Sequence, residues 1–341
     1  MVCSFLFCFL STVMCVIVNC LQYQGDMNLK LETSGADVIL AQLKADYENN
    51  DTIDMMHLAH LHPVEKFNGV EFEEGPHLYI VDGETYNGSV TGHIHRYFKN
   101  FETEAAIDNI LACEDWSTNI QYKYYLKSRK EIKELWAVAA AEGTVLHYLI
   151  ERFYNCPELY NKNNFSNELL SRYYKEKHYT REDFKQFLEF HIRIVLVCKW
   201  KPFRTELRIA DRVCKLAGSV DMIFKTNADD KYIIVDWKQT EQIWYKPFTN
   251  KNSNNNKDDG CGFGPCSDLA DCTFTHYSLQ VNTYKQIIET NTNMRIISMY
   301  LGVFHPRNSI YERVKCADDE YIGNVTASMI QERTDLLNKN L

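Results

Sequence analysis

The chain lacks an excess of positive charge. Its 341 residues include 37 lysines and arginines against 46 aspartates and glutamates, which gives a formal net charge of −9. A protein that wraps nucleic acid non-specifically over its whole surface needs the opposite balance. The composition therefore argues against such a surface, although it is compatible with a local basic groove.

Two sequence features are also missing. There is no Gly-x-x-x-x-Gly-Lys-Ser/Thr phosphate-binding loop, so no use of ATP and no helicase partner are indicated. There is no internal repeat either. With 45% hydrophobic and 13% aromatic residues, the chain is expected to fold as one large or two modest packed domains.

The twelve cysteines do not form the compact framework of a small secreted domain. Their scatter through apolar stretches favours a reducing, intracellular compartment, with nucleus, cytoplasm and mitochondrion not distinguished. Four side chains have a spacing that a structural Zn²⁺ site could use, namely Cys261, Cys266, Cys272 and His276. A glycine-rich surface insertion with incidental cysteines is favoured over zinc, because His276 begins a predicted helix.

The N-terminus needs a separate interpretation. Val2–Leu21 is apolar and uncharged, and is long enough to span a bilayer. It lacks the positive start of a secretory signal and the arginines of a mitochondrial presequence. Residues 1–23 could be an anchor or an N-terminal helix, or could be translated upstream of a true start at Met27. The last interpretation is favoured, and a membrane partner is not expected apart from this segment.

A charged hairpin is the most informative feature of the chain. Residues 231–237 form an apolar run typical of a strand buried on both faces. In a strand of period two, Asp236 and Lys238 project from one face and Trp237 from the other. Asp221 lies in the preceding apolar strand. Since unpaired buried charge is costly, a bound divalent metal explains this arrangement better than a surface Asp–Lys pair.

Two helical patterns flank the hairpin. In the pattern from 121 to 154, Gly143, His147 and Glu151 are spaced by four and share one face. In the pattern from 275 to 290, the spacing of Gln280 and Tyr284 is the same. Each pattern alone fits an ordinary amphipathic helix with a polar edge.

Together and in this order, the motifs resemble the RecB-like exonuclease branch of the PD-(D/E)xK nuclease superfamily, including viral members. The resemblance covers residues 120–305 and rests on Gly143…His147, Gly218…Asp221, Asp236-Trp237-Lys238 and Gln280…Tyr284. It implies an α/β fold with a restriction-endonuclease-like core, in which helices flank a mixed central β-sheet. The N-terminal extension is expected to be mainly helical.

The resemblance also implies site residues and a function. Catalytic roles fall to Asp221, Asp236 and Lys238. The ligands of one or two Mg²⁺ or Mn²⁺ ions would be His147, Asp221, Asp236 and the carbonyl of Trp237. Supporting or substrate-binding roles fall to Glu206, Gln280, Tyr284 and Glu151. Glu206 would bind metal through water or simply pair with Arg208 or Arg212.

The implied activity is hydrolysis of DNA phosphodiester bonds by a metal-dependent exonuclease of DNA replication, recombination or repair. An iron–sulfur cluster is not expected, because only Cys316 follows the Gln280 helix. Two alternatives come from other classes: a catalytically inactive nucleic-acid-binding relative, and a membrane-anchored interaction protein.

The domain prediction follows from these segments. We expect a leader at 1–26, an extension or cap at 27–118, and a nuclease core at 119–341 with a loop insertion at 250–272. Other predicted elements are a hairpin at 77–86, helices at 93–101, 167–178 and 180–198, strands at 204–213, 296–304 and 309–315, and a helix from 318.

Overall fold

The computed structural model describes residues 34–48, 53–73, 76–247 and 260–339. The predicted leader at 1–26 and the first part of the predicted insertion, 250–259, lie outside these ranges. None of the helices within them is both long enough and apolar enough to cross a bilayer.

The N-terminal part contains short helices and a small antiparallel sheet of order β1-β2-β3. Its elements are α1 (Gly35–Glu48), α2 (His57–Leu61), β1 (Val70–Glu73), β2 (Leu78–Val81), β3 (Glu84–Tyr86), α3 (Val90–His95), α4 (Thr103–Leu111) and α5 (Glu114–Thr118). The predicted hairpin is confirmed as β2 and β3, but β1 was not predicted. The helix predicted at 93–101 is instead α3, which starts earlier because Ser89 caps it by accepting a hydrogen bond from Gly92 N.

The remaining elements complete an α/β architecture. They are α6 (Arg129–Tyr154), α7 (Pro157–Tyr160), α8 (Asn167–Ser171), α9 (Glu176–Tyr179), α10 (Glu182–Phe190), β4 (Lys201–Asp211), β5 (Leu216–Lys225), β6 (Lys231–Gln239), α11 (Thr273–Asn291), β7 (Arg295–Phe304), β8 (Glu312–Lys315) and α12 (Glu320–Lys339). The five-stranded sheet has the order β4-β5-β6-β7-β8. Only its β6–β7 pair is parallel, so the predicted mixed sheet flanked by helices is confirmed.

The long helix α6 starts later than predicted. Ser128 and Glu131 form a capping box, in which each side chain accepts a hydrogen bond from the other residue's backbone N–H. Such a box satisfies amide groups that a helix start leaves unpaired, and it fixes the first turn. The prediction of helix from residue 121 is therefore wrong for 121–128.

The region predicted as two helices, 167–178 and 180–198, contains three short helices and a π-helical stretch, His191–Leu196. The buried His191 interacts through Nε2 with the carbonyl of Tyr160 at 2.8 Å and through Nδ1 with the hydroxyl of Tyr154 at 3.2 Å. These contacts come from residues distant in the sequence, so a local pattern does not reveal them.

Alternating side chains of the central sheet feed two separate cores. Ile223 and Ile234 point into a core shared with α11 and α12, while Met222 and Val235 point into one shared with α6 and α10. The first core also contains Val81 and other residues of the N-terminal part. The N-terminal extension therefore packs into the same core as the sheet.

Gly218 of β5 lies in close contact with helix α11, so a side chain larger than hydrogen has little room there. A methyl group at Gly218 would lie 2.6 Å from the Tyr284 ring, which is buried. We expect Gly218→Ala to lower the free energy of unfolding by about 1–3 kcal/mol, because the ring or strand must shift. Gly323, exposed within α12, has no atom near its would-be Cβ. Gly323→Ala should instead be neutral or stabilise by up to about 1 kcal/mol. Urea denaturation of both variants tests this; equal effects would contradict it.

Candidate active site

The β5–β6 hairpin places the two predicted carboxylates side by side. Met222 pairs with Val235, so Asp221 and Asp236 are adjacent across the two antiparallel strands. The backbone N–H of Trp237 donates to Asp221 Oδ2 at 2.8 Å. The conformation of the Asp221 carboxylate is therefore tied to the strand that carries the Asp-x-Lys motif.

His147 reaches the same point from α6. Its Nε2 lies 2.9 Å from the carbonyl oxygen of Trp237, and its Nδ1 lies 3.7 Å from Asp221 Oδ2. A carbonyl only accepts, so Nε2 carries the proton in this hydrogen bond. In the neutral ring, Nδ1 then presents a lone pair toward a carboxylate, an arrangement that a cation between them would stabilise.

Glu206 completes the cluster from β4. The pairs Thr205–Met222 and Leu207–Val220 flank it, which puts it opposite Asp221. Its backbone has a positive φ of 42°, a conformation uncommon outside glycine, and such strain is found at functional sites. The hydroxyl of Ser219 donates to Glu206 Oε2 at 2.9 Å.

Three of the predicted residues can share one ion. One ligand atom from each of His147, Glu206 and Asp221 lies within 4.8 Å of the other two. Two carboxylates and an imidazole form a donor set for a divalent metal such as Mg²⁺ or Mn²⁺. The predicted ligand Asp236 is not part of this group. The Trp237 carbonyl, which is also a predicted ligand, contacts the group through its hydrogen bond with His147.

Asp236 and Lys238 form a largely buried ion pair beside the cluster. Lys238 Nζ lies 2.6 Å from Asp236 Oδ2 and 4.4 Å from the centre of the Tyr277 ring, over its face. Such a ring stabilises an ammonium group. The lysine is therefore fixed between a carboxylate and an aromatic face.

Burial and mutual repulsion shift the pKa values of the acids in this site. Burial, with the charges of Asp221 and Glu151, raises the pKa of Glu206 to about 8. Burial raises the pKa of Glu151 to about 7 and that of Asp236 to about 6. Burial alone would lower the pKa of Lys238, but the Asp236 carboxylate outweighs it and keeps the lysine charged. The site therefore has more carboxylates than its own cations can balance.

The motif on α11 supports the strands rather than facing open solvent. Gln280 Nε2 donates to the hydroxyl of Tyr284 at 2.9 Å, and the Tyr284 ring packs against Gly218 of β5. Tyr284 is buried at this contact. The alternative that Glu206 pairs with Arg212 is not what is found, because Arg212 pairs with Asp82.

The cysteines considered for zinc have other neighbours. Cys266 Sγ lies 3.6 Å from Met329 Sδ, Cys272 Sγ lies 3.3 Å from Thr275 Oγ1, and His276 Nε2 lies 2.9 Å from Asp271 Oδ1. Cys266 and Cys272 are buried, so this part of the predicted surface insertion belongs to the packed structure.

Two contributors were not predicted. Tyr277 supports Lys238, and its position three residues before Gln280 on the same helix face could have revealed it. Asp183 is fully buried and accepts hydrogen bonds from Arg181 and, at 2.6 Å, from Gln239 Nε2. Gln239 directly follows Lys238, so this network anchors the end of β6, but no sequence signal linked Asp183 to the hairpin.

Comparison with known proteins supports the resemblance. Residues 120–249 match the family model described as PD-(D/E)XK nuclease superfamily, and this segment contains His147, Glu206, Asp221 and Lys238. The recognition of this superfamily is thereby confirmed. PD-(D/E)XK nucleases use divalent metals, and the His147–Glu206–Asp221 group could bind one.

No curated protein matches the chain. Among solved structures, one described as "Putative exonuclease" from Eubacterium rectale is 11% identical and covers 59% of this chain and 74% of its own, with a TM-score of 0.31.

The free energy of unfolding of the metal-free protein should fall as the pH rises from 4.5 to about 8. The pKa of Glu206 is about 8 in the folded state against an ordinary value of 4.5, so the folded state binds more protons in this window. The stabilising contribution of protonated Glu206 is complete below pH 4.5, and it is lost as the pH rises through the folded-state pKa of about 8. Glu206→Gln, which cannot ionise, should flatten the slope. Urea denaturation in EDTA across this range measures it; an unchanged slope in the variant would contradict the assignment.

Proposed function

We propose that this protein is a metal-dependent nuclease that hydrolyses phosphodiester bonds of DNA. The observation that carries the proposal is the convergence of His147, Glu206 and Asp221 within 4.8 Å, beside a charged Lys238. The superfamily match supports the reaction class, and the choice of DNA follows the sequence resemblance. We place the chain in the RecB-like branch, as an exonuclease of DNA replication, recombination or repair with viral relatives.

The proposed chemistry uses two groups of residues, one that would bind metal and one that holds Lys238. His147, Glu206 and Asp221 would hold Mg²⁺ or Mn²⁺, which when bound supplies a Lewis acid for the phosphate and acidifies water. Lys238, held by Asp236 and Tyr277, orients the attacking water and neutralises charge that gathers on the phosphate oxygens. Glu151 has a carboxyl group of raised pKa beside Glu206, and can hold a proton near neutral pH.

Asp236 is proposed as a residue with two roles. Its sequence position makes it a predicted ligand, yet here its carboxylate pairs with Lys238. Asp236 Oδ2 has a lone pair besides the one directed at the lysine, so it can position Lys238 and reach an ion at the same time. Measurements on Asp236 and Glu206 variants distinguish metal binding from the positioning of Lys238, because of these two residues only Asp236 contacts the lysine.

A catalytically inactive nucleic-acid-binding relative is the second candidate. It would keep the fold but not the reaction. Incubation of the protein with end-labelled linear, circular and single-stranded DNA, each with Mg²⁺, Mn²⁺ or EDTA, tests the proposal. Loss of label from linear DNA only with a metal supports an exonuclease. No hydrolysis under any condition, with DNA still bound, would support the inactive relative.

Lys238→Met should reduce hydrolysis by about 100- to 1000-fold while Mn²⁺ affinity is unchanged, because a charge that stabilises the transition state is removed but no ligand is lost. Lys225→Met is a matched control, since Lys225 also lies over a tyrosine ring, 6.0 Å from the centre of Tyr232, near the start of β6. The control should retain activity. Equal loss in both variants would contradict the assignment.

Glu206→Gln should weaken Mn²⁺ binding by at least about ten-fold, since it removes a ligand of the proposed group. Asp236→Asn should reduce binding less if Asp236 acts mainly on Lys238. Isothermal titration calorimetry of Mn²⁺ gives both affinities. Wild-type affinity in Glu206→Gln, together with lost affinity in Asp236→Asn, would exchange the two roles.

His147→Ala should reduce activity most at low Mn²⁺ and recover partly at high Mn²⁺. The removal of one ligand weakens the site without abolishing it, and the single hydrogen bond to Trp237 is worth only about 1 kcal/mol. Activity titrations with Mn²⁺ beside thermal melts of the metal-free protein check this. A large fall in melting temperature with no recovery by metal would indicate a structural histidine instead.

A further inference from the structure

A second concave site lies between the end of α3 and the segment that precedes α11. It is a cavity of about 560 Å³ lined by Arg96, Phe98, Lys99, Asn100, Glu102 and Phe263. These residues do not overlap with the His147–Glu206–Asp221 group. None of them is among the site residues that the sequence predicts.

Two positively charged side chains line the cavity. Arg96 and Lys99 are exposed, and neither forms an ion pair with another residue in the part of the chain that the structure describes. Arg96 also adds to the positive potential around Arg333, whose side chain donates to the carbonyl oxygens of Cys214 and Lys215. Glu102 is the acidic member of the lining. The local balance therefore favours an anion, in contrast to the net charge of −9 of the chain.

Phe263 presents an aromatic surface at the same place. Phe263 is 53% exposed, while its backbone is held by hydrogen bonds from its N–H to Tyr97 O at 2.7 Å and from Cys266 N to its carbonyl at 3.0 Å. An exposed ring on a fixed backbone loses little entropy when it stacks on a ligand. Aromatic rings beside cations are the combination that binds unpaired bases and their phosphates.

The cavity is linked to the candidate active site through α11. The ring of Phe98, which lines the cavity, lies 4.1 Å from the ring of His276. The next residue, Tyr277, lies under Lys238. A strand bound at the cavity is therefore close to the first turn of the helix that supports the catalytic lysine.

We propose that this cavity binds a single-stranded nucleic acid, with a base stacked on Phe263 and phosphates contacted by Arg96 and Lys99. The proposal rests on the proposed function, since it names a strand-holding subsite of that nuclease. Single strands are favoured over duplexes because a base must leave its neighbours before its face can stack on a side chain. Asn100 offers an amide to the base edge, and Glu102 opposes phosphate at the rim.

The test is fluorescence anisotropy of labelled oligothymidylate with the full-length protein in EDTA, where no hydrolysis proceeds. Phe263→Ala should lower affinity about ten-fold, because one stacked base is lost. Arg96→Gln with Lys99→Gln should lower affinity and reduce the slope of log affinity against log salt by about 1.4, or about 0.7 for each phosphate contact. Glu102→Gln should raise affinity.

Matched controls are available elsewhere on the surface. Tyr321→Ala removes another exposed ring, on α12, and Lys201→Gln with Lys231→Gln removes the same charge from exposed positions at strand starts. Both should bind as the wild type does. Phe263→Ala with wild-type affinity, or a charge effect equal to that of the control pair, would overturn the proposal, as would an effect confined to duplex DNA.

Hydrolysis of bis(p-nitrophenyl) phosphate with Mn²⁺ separates this inference from the proposed function, because that small diester does not need a strand-binding subsite. Phe263→Ala should hydrolyse it at the wild-type rate. A wild type that binds oligothymidylate through Phe263 but hydrolyses nothing would support the cavity and overturn the nuclease. If the wild type hydrolyses the diester but Phe263→Ala binds oligothymidylate as tightly as the wild type, the nuclease is supported and the cavity proposal is overturned.

Discussion

Trp237 joins the parts of the candidate site, because its backbone and its ring face different partners. Its N–H binds Asp221 of β5, and its carbonyl oxygen binds His147 of α6. Its ring packs among Tyr154, Phe187, Phe190 and Phe304, and lies over Gly302 of the neighbouring strand, where a methyl group would be 2.7 Å away. The packing of the ring therefore helps to fix the two backbone groups of Trp237 that bind Asp221 and His147.

This arrangement explains how costly charges are tolerated there. Several carboxyl groups and one lysine are gathered where burial raises the pKa of Glu206 to about 8 and that of Asp236 to about 6. Such a cluster opposes folding near neutral pH, and the apolar cores on both sides of the sheet must offset it. Bound metal would relieve the same repulsion, since binding to the folded state alone stabilises that state. Metal binding, as proposed, would therefore be coupled to stability at this point of the fold.

The sequence was informative where the structure follows local pattern. The apolar run of β6 predicts a strand buried on both faces, and period two correctly separates Trp237 from Asp236 and Lys238. The spacing that places His147 on a helix is equally local. The sequence was uninformative where distant contacts decide: the positive φ of Glu206, the place of Tyr277 under Lys238, and the interruption of the helices near His191 all depend on residues far along the chain. The His147–Glu206–Asp221 group illustrates this limit, because the motif emphasises Asp236 whereas the geometry gathers Glu206.

The N-terminal part packs against the strand and the helix that carry residues of the candidate site. Ser89, the N-cap of α3, forms an isolated bridge with Ala217 at the start of β5, next to the Gly218 that accommodates Tyr284. Helix α3 also contacts α11, which carries both Tyr277 and Tyr284. Helix α3 and its N-cap therefore contact both the strand that carries Asp221 and the helix that carries Tyr277. The extension therefore shares its packing with the strand that carries Asp221 and with the helix that carries Tyr277 and Tyr284.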